Sequence, residues 1–163
     1  MSWPFYLLSI SSSVVIGIGW VGFARLYQLP IPFRWSGWLT VVWFLPALVA
    51  ASLQLLTRKR SPGLIFFCES LAAAISASFG PMGGLSFHFG LAQGLFAEIA
   101  MARRRNLFAV AMGCALADLT LLVLHPALAF LREQPWDVWA SHTLGVVVSS
   151  WLAAWALKKL YAI

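Results

Sequence analysis

The sequence predicts an all-α integral membrane protein, a bundle of six transmembrane helices. Composition points there first: 61% of the 163 residues are hydrophobic and 10% are charged, against about 25% charged in a soluble domain. Mean hydropathy is +0.86, which leaves too few polar side chains to cover a water-facing surface. The apolar runs are also continuous, whereas the strands of a membrane barrel would alternate apolar and polar residues. At about 20 residues per span, six spans take about 120 residues and leave about 43 for connections. No soluble catalytic domain fits in that remainder, so residues 1–163 read as a single membrane domain and not as an enzyme.

The spans follow in order. The first, about Phe5–Ala24, starts without a basic segment and ends without a small-residue cleavage site, so it reads as a retained helix and not a signal peptide. Pro30 and Pro32 break the chain before the second, about Gly37–Leu56. Pro46 removes a backbone donor inside that span and predicts a kink, which a bundle tolerates. Ser61-Pro62 introduces the third, about Gly63–Phe79. Gly80-Pro81-Met82-Gly83-Gly84 reads as a tight hairpin into the fourth, about Leu85–Ala102. Arg103 to Asn106 separate it from the fifth, about Leu107–Leu124, and His125-Pro126 through Pro135 lead to the sixth, about Trp136–Leu157.

Charge orients the bundle. Arg58-Lys59-Arg60, Arg103-Arg104-Arg105 and Lys158-Lys159 follow the second, fourth and sixth spans. Six spans put all three clusters on one side, and the positive-inside rule makes that side, and both termini, cytoplasmic. The net charge of +6 is then topology and not a nucleic-acid footprint. Trp20, Tyr27, Trp35, Trp38 and Trp43 gather near the outer ends of the first two spans, with Trp136 and Trp139 at the outer start of the sixth. Such rings form an interfacial belt, or cages for organic cations.

Three carboxylates fall inside spans: Glu69, Glu98 and Asp118. Each costs about 2.5 kcal/mol or more near mid-bilayer, so each needs a partner or a task. Glu69 shares a helix face with Ala72, Ala73 and Ser76, and Glu98 shares one with Gly94 and Gly90. Small-residue stripes of this kind mark helix contacts or cavity walls. Gln93 lies on an adjoining face. Asp118 lies further out and could serve a ligand or bond a neighbouring helix. His88, His125 and His142 fall in the outer half without metal-ligand spacing, and Cys68 and Cys114 read as small core residues. No nucleotide loop or nucleophile motif occurs, so no cofactor or metal is expected and any energy comes from a partner chain or an ion gradient. In the first span Ser9, Ser13 and Gly17 recur every fourth residue, with Ser11, Val15 and Gly19 beside them. The former stripe is a candidate docking face for a partner subunit, or internal packing.

Gly80-Pro81-Met82 followed by Gly90-x-x-Gln93-Gly94-x-x-Ala97-Glu98 resembles the YkoE-type substrate-binding (S) components of energy-coupling factor (ECF) vitamin transporters. So does the basic turn Arg58-Lys59-Arg60-Ser-Pro62-Gly63 ahead of Glu69, and the resemblance covers about residues 58–114. It implies a bacterial cytoplasmic-membrane S component that captures thiamine or its hydroxymethylpyrimidine precursor. It also implies a transmembrane coupling (T) component and a pair of ABC-type ATPases as partners. An aminopyrimidine needs carboxylate or amide partners, and Glu69, Gln93 and Glu98 are the buried candidates. Trp38 and Trp43 would stack on the ligand, with His88 and Asp118 as further candidates. The alternative is a self-contained ion-coupled transporter of an organic cation, with Glu69 and Glu98 as exchangeable acids.

Overall fold

The computed structural model describes residues 3–27, 33–79 and 83–161, and of 24–27 the backbone alone. All regular structure among them is helical: α1 (Trp3–Tyr27), α2 (Phe33–Leu39), a 3-10 segment (Thr40–Phe44), α3 (Leu45–Leu56), α4 (Leu64–Phe79), α5 (Gly84–Arg104), α6 (Leu107–Leu124), a 3-10 segment (Pro126–Glu133) and α7 (Trp136–Tyr161). Pro30, Pro32 and the Gly80-Pro81-Met82 part of the expected hairpin lie outside the described residues. Five stretches are long and apolar enough to cross a membrane: Trp3–Phe23, Phe33–Leu56, Gly84–Arg104, Leu107–Leu124 and Trp136–Tyr161. The expected third span, α4, is apolar but has 16 residues. At 1.5 Å per residue it measures about 24 Å, short of the roughly 30 Å hydrocarbon core.

The predicted second span is where local chemistry bends the chain. Pro46 has no N–H for the Val42 carbonyl one turn earlier, and the five residues before α3 tighten into a 3-10 turn. The Val42 carbonyl accepts instead from the Leu45 N–H and from the Trp20 indole Nε1–H, the latter at 2.9 Å. The Ala47 N–H, at the start of α3, donates to Glu69 Oε2 at 2.8 Å. Both backbone groups disturbed by the proline therefore find side-chain partners from other helices, as burial in an apolar medium requires.

Small residues set the helix spacings. A Cβ on Gly90 would collide with that of Ala73, and one on Gly94 would sit 3.1 Å from Glu69 Cβ. These close approaches lock α5 onto α4, so the two stripes read from the sequence face each other. A Cβ on Gly37 would run into the His142 carbonyl, and one on Gly145 would come within 2.9 Å of the Trp38 backbone nitrogen. α2 and α7 consequently cross almost backbone to backbone. Phe44, Leu48, Ile65, Val110 and Val146 fill the interior between the helices with no exposed surface.

The ends of the bundle differ in character. Arg58, Arg104, Arg105 and Lys158 converge at one end, called here the basic end. At the opposite end the short 3-10 segment Pro126–Glu133 lies across the bundle. The His125 imidazole accepts from the Ala127 N–H at 3.3 Å, and the Trp139 indole donates to the Leu131 carbonyl at 3.0 Å.

Candidate substrate cavity

A cavity of about 190 Å³ opens between the helices at the end opposite the basic residues. Its walls grow out of the features above. The kinked second span presents Ser36, Thr40 and Trp43 at intervals of four and three residues, hence on one face. Because Pro46 releases the Val42 carbonyl, Trp20 is drawn in to bond it. Its ring meets Trp43 edge-on, with centroids 5.0 Å apart at 63°. Trp20 is 2% exposed. Its expected place in the interfacial belt is corrected on that ground, since a freed carbonyl inside the bundle outcompetes the interface for the indole N–H. Leu128 and Leu131 of the 3-10 segment add apolar lining to the cavity.

Three polar groups point the chemistry. Asp118, on α6, is buried and its Oδ1 accepts from the Gln93 side-chain amide at 3.3 Å. Both residues line the cavity. On α7, His142 is held by the tight α2–α7 crossing: its ring stacks on Phe33 with centroids 4.2 Å apart, and Nδ1 lies 3.1 Å from the Phe33 carbonyl and 3.0 Å from Ser36 Oγ. The Ser36 hydroxyl itself donates to the Phe33 carbonyl. A carbonyl can only accept, so Nδ1 carries the ring proton and Nε2 is left as a lone-pair acceptor. Among the described residues Nε2 has no hydrogen-bond partner, and neither does Ser86 Oγ, which also lines the cavity. An unpaired buried acceptor costs free energy. The cavity thus offers a carboxylate acceptor at Asp118, an amide at Gln93, the imidazole of His142, and aromatic walls from Trp20, Trp43 and Phe33. Such a set suits a small planar heterocycle bearing an amino group.

The candidates read from the sequence separate into two groups. Gln93, Asp118 and Trp43 come together in the cavity. Glu69, Glu98, Trp38 and His88 are not among its lining residues. Glu69 spends Oε2 on the Ala47 N–H. Glu98 Oε2 accepts from the Ile65 and Phe66 N–H groups at 3.1 and 3.4 Å, which caps the first turn of α4 at the basic end. The helix N-terminus gives that charge a partner within the chain. Trp38 is 39% exposed, consistent with an interfacial ring. His88 is exposed and bonds His125, Nδ1 to Nε2, at 3.0 Å. The Ser9, Ser13 and Gly17 stripe faces inward: both serines are 1% exposed, and a Cβ on Gly17 would lie 3.0 Å from Ala72 Cα. It is the contact between α1 and α4, which corrects its reading as a docking face. The neighbouring stripe is open, with Val15 68% exposed and nothing within 4 Å of a Cβ on Gly19. His142, Ser36 and Thr40 were missing from the candidate list. Their signal was present in the sequence, as small or polar residues recurring at helical spacing in the second span and at His142, Gly145 and Ser149 in the sixth.

Among the described residues no group of three or more His, Cys, Asp or Glu side chains gathers to hold a metal ion. Residues 5–122 match the family described as the permease component of the ABC-type cobalt transport system. The chain belongs to that family. This permease-family chain is therefore a transport protein of the multi-pass membrane kind. Its backbone is similar to a crystal structure of an S-component of an ECF transporter, with a TM-score of 0.73 and 20% sequence identity over 99% of this chain and 84% of the other. At that identity the likeness defines the fold: the permease-family chain has the S-component architecture. No curated protein matches it.

Proposed function

We propose that this chain is the substrate-capture subunit of an ECF-type importer and that it takes thiamine or its hydroxymethylpyrimidine precursor. The carrying observation is the aromatic cavity that Asp118, Gln93 and His142 line together. An exocyclic amino group on a pyrimidine supplies hydrogen-bond donors, and the ring supplies a face for Trp43 and Trp20. A cavity of about 190 Å³ is below the roughly 300–1,000 Å³ of sites for drug-sized ligands, which favours the single-ring precursor over the two-ring vitamin. Six spans with the basic end in the cytoplasm would open this cavity outward, where a capture subunit meets its substrate.

No reaction need occur in the chain. Energy would come from a T component, docked on the membrane-facing side of the bundle, and from its ABC-type ATPase pair in the cytoplasm. The exposed Ser11, Val15 and Gly19 stripe of α1 supports close approach of a partner helix. The rival reading, an ion-coupled transporter working alone, needs Glu69 and Glu98 as exchangeable acids. Each engages one oxygen, Oε2, with a backbone N–H of a neighbouring helix, which weighs against it, although Glu69 Oε1 has no partner among the described residues.

The test is the molecule that accompanies the purified protein. Mass spectrometry of the heat-released fraction should find hydroxymethylpyrimidine or thiamine in stoichiometric amount. A metal ion or an unrelated organic compound in that fraction would overturn the substrate assignment. Proton flux in liposomes holding this chain alone would overturn the dependence on partners.

A further inference from the structure

A second recess, of about 620 Å³, lies at the basic end. Arg58 at the end of α3, Arg104 and Arg105 after α5, and Lys158 near the end of α7 surround it, with Leu55 and Leu56 as apolar wall. Among the described residues no acidic side chain lines it. The positive-inside rule asks only that cations lie on one side of the membrane. It does not ask cations from three separate segments to converge on one leucine-walled hollow. The loops that carry them are also fixed. The Ser61 N–H donates to the Gln54 side-chain carbonyl at 3.0 Å, and the Ser61 hydroxyl pairs with that of Tyr6 at 3.0 Å. Those bonds close the turn holding Arg58. The Arg105 N–H returns to the Met101 carbonyl at 3.1 Å, and Asn106 caps α6 by accepting from the Phe108 N–H at 2.9 Å. Lys158 Nζ stands 5.9 Å from the Phe108 ring centre. Four like charges held together in this way repel one another unless an anion joins them.

We propose that this recess binds the headgroup of an anionic phospholipid carrying two phosphates, with its acyl chains running along the apolar wall. Two cations per phosphate neutralise four charges with one such lipid. Leu56 is 49% exposed at the rim, an apolar surface where an acyl chain can lie. Basic pockets between membrane helices on the cytoplasmic side suit lipids of this class. The site is separate from the cavity at the other end, so it stands or falls independently of the substrate assignment.

The test is native mass spectrometry of the full chain titrated with three lipids: a bis-phosphate four-chain lipid, phosphatidylglycerol and phosphatidylethanolamine. One variant carries Arg58→Gln, Arg104→Gln, Arg105→Gln and Lys158→Gln. A control loses four charges from the same end outside the recess, by Lys59→Gln, Arg60→Gln, Arg103→Gln and Lys159→Gln. The bis-phosphate lipid should bind most tightly to the native chain, weaken at least about tenfold in the recess variant and change by no more than about twofold in the control. If the recess variant fails to fold, the pairs Arg58→Gln with Lys158→Gln and Arg104→Gln with Arg105→Gln should each give part of the loss. Equal weakening in the control, or no preference over phosphatidylethanolamine, overturns the site. Displacement of the lipid by inorganic pyrophosphate at similar concentration assigns the recess to soluble phosphates and overturns the lipid. Unchanged lipid binding in a recess variant that no longer assembles with its coupling subunit assigns the recess to a protein partner and overturns it as well.

Discussion

Asp118 and Glu69 are both fully or almost fully buried carboxylates on helices of one small bundle, and they answer the cost of burial in different ways. Glu69 serves the chain: it holds the Ala47 N–H that Pro46 and the 3-10 turn leave at the start of α3. Among the described residues Asp118 bonds a long-armed amide alone, Gln93 at 3.3 Å, and it lines a cavity. The basic half of the molecule thus spends its acids on helix ends, and the opposite half keeps its polar groups for something that enters. A buried charge in a membrane protein is a candidate site by default. The comparison shows that the deciding question is which donor the charge already has.

The largest expected effect lies on the Glu69 side. Glu69→Ala strands a buried N–H and leaves a void, so it should cost roughly 2–4 kcal/mol of stability, read as a lower melting temperature in detergent. Glu69→Gln should recover most of that loss, because an amide carbonyl still accepts from Ala47. Ligand affinity of the folded fraction should stay at the native value in both. Asp118→Asn is the mirror experiment. It should weaken ligand binding by about 1.5–3 kcal/mol, roughly ten- to hundredfold by calorimetric titration. Its melting temperature should hold or rise, since a charge leaves the membrane interior. A loss of binding in Glu69→Gln as deep as in Asp118→Asn would break the comparison.

Five of the six expected spans, the break at Pro46 and the facing stripes of α4 and α5 were legible because helical period and proline chemistry are local properties of the sequence. Asp118, Gln93 and Trp43 were legible as polar or aromatic residues in apolar segments. The roles of Glu69 and Glu98 were not, because they depend on which backbone N–H a neighbouring helix leaves open. Ala47 and Ile65 lie 22 and 33 residues away from their partners. The inward turn of the Ser9, Ser13 and Gly17 stripe was hidden for a related reason. Two small-residue stripes lie side by side on α1, and only the packing of α4 against it says which of them is covered.

Trp20 sharpens the comparison at the boundary between the halves. Trp20→Phe keeps a ring against Trp43 but leaves the Val42 carbonyl with the Leu45 N–H as its one remaining donor among the described residues. It should cost about 1 kcal/mol of stability and loosen the ligand only slightly, by melting and titration on the same sample. Strong loss of ligand with unchanged melting would mean that the indole N–H bonds the substrate and that its bond to Val42 is incidental.

The smallest effect is expected at Glu98, and its smallness is informative. Its Oε2 receives one good N–H bond, from Ile65 at 3.1 Å, and one long one, from Phe66 at 3.4 Å. The side chain is half-buried near the basic end, where partial exposure to water reduces the cost of its charge. Glu98→Gln keeps an acceptor for the Ile65 N–H and loses only the favourable interaction of a negative charge with a helix N-terminus, worth about 0.3–1 kcal/mol. Glu98→Ala removes the cap entirely and should cost about 1 kcal/mol, the usual toll of an uncapped helix start. Neither should move ligand affinity, because no cavity wall includes Glu98 and α4 begins at the end away from the substrate. Melting curves that follow this order, Gln above Ala, together with unchanged titrations, fix Glu98 as a cap. A tenfold loss of affinity in Glu98→Gln at native stability would place the substrate in the basic half and reverse the division of labour between the two ends.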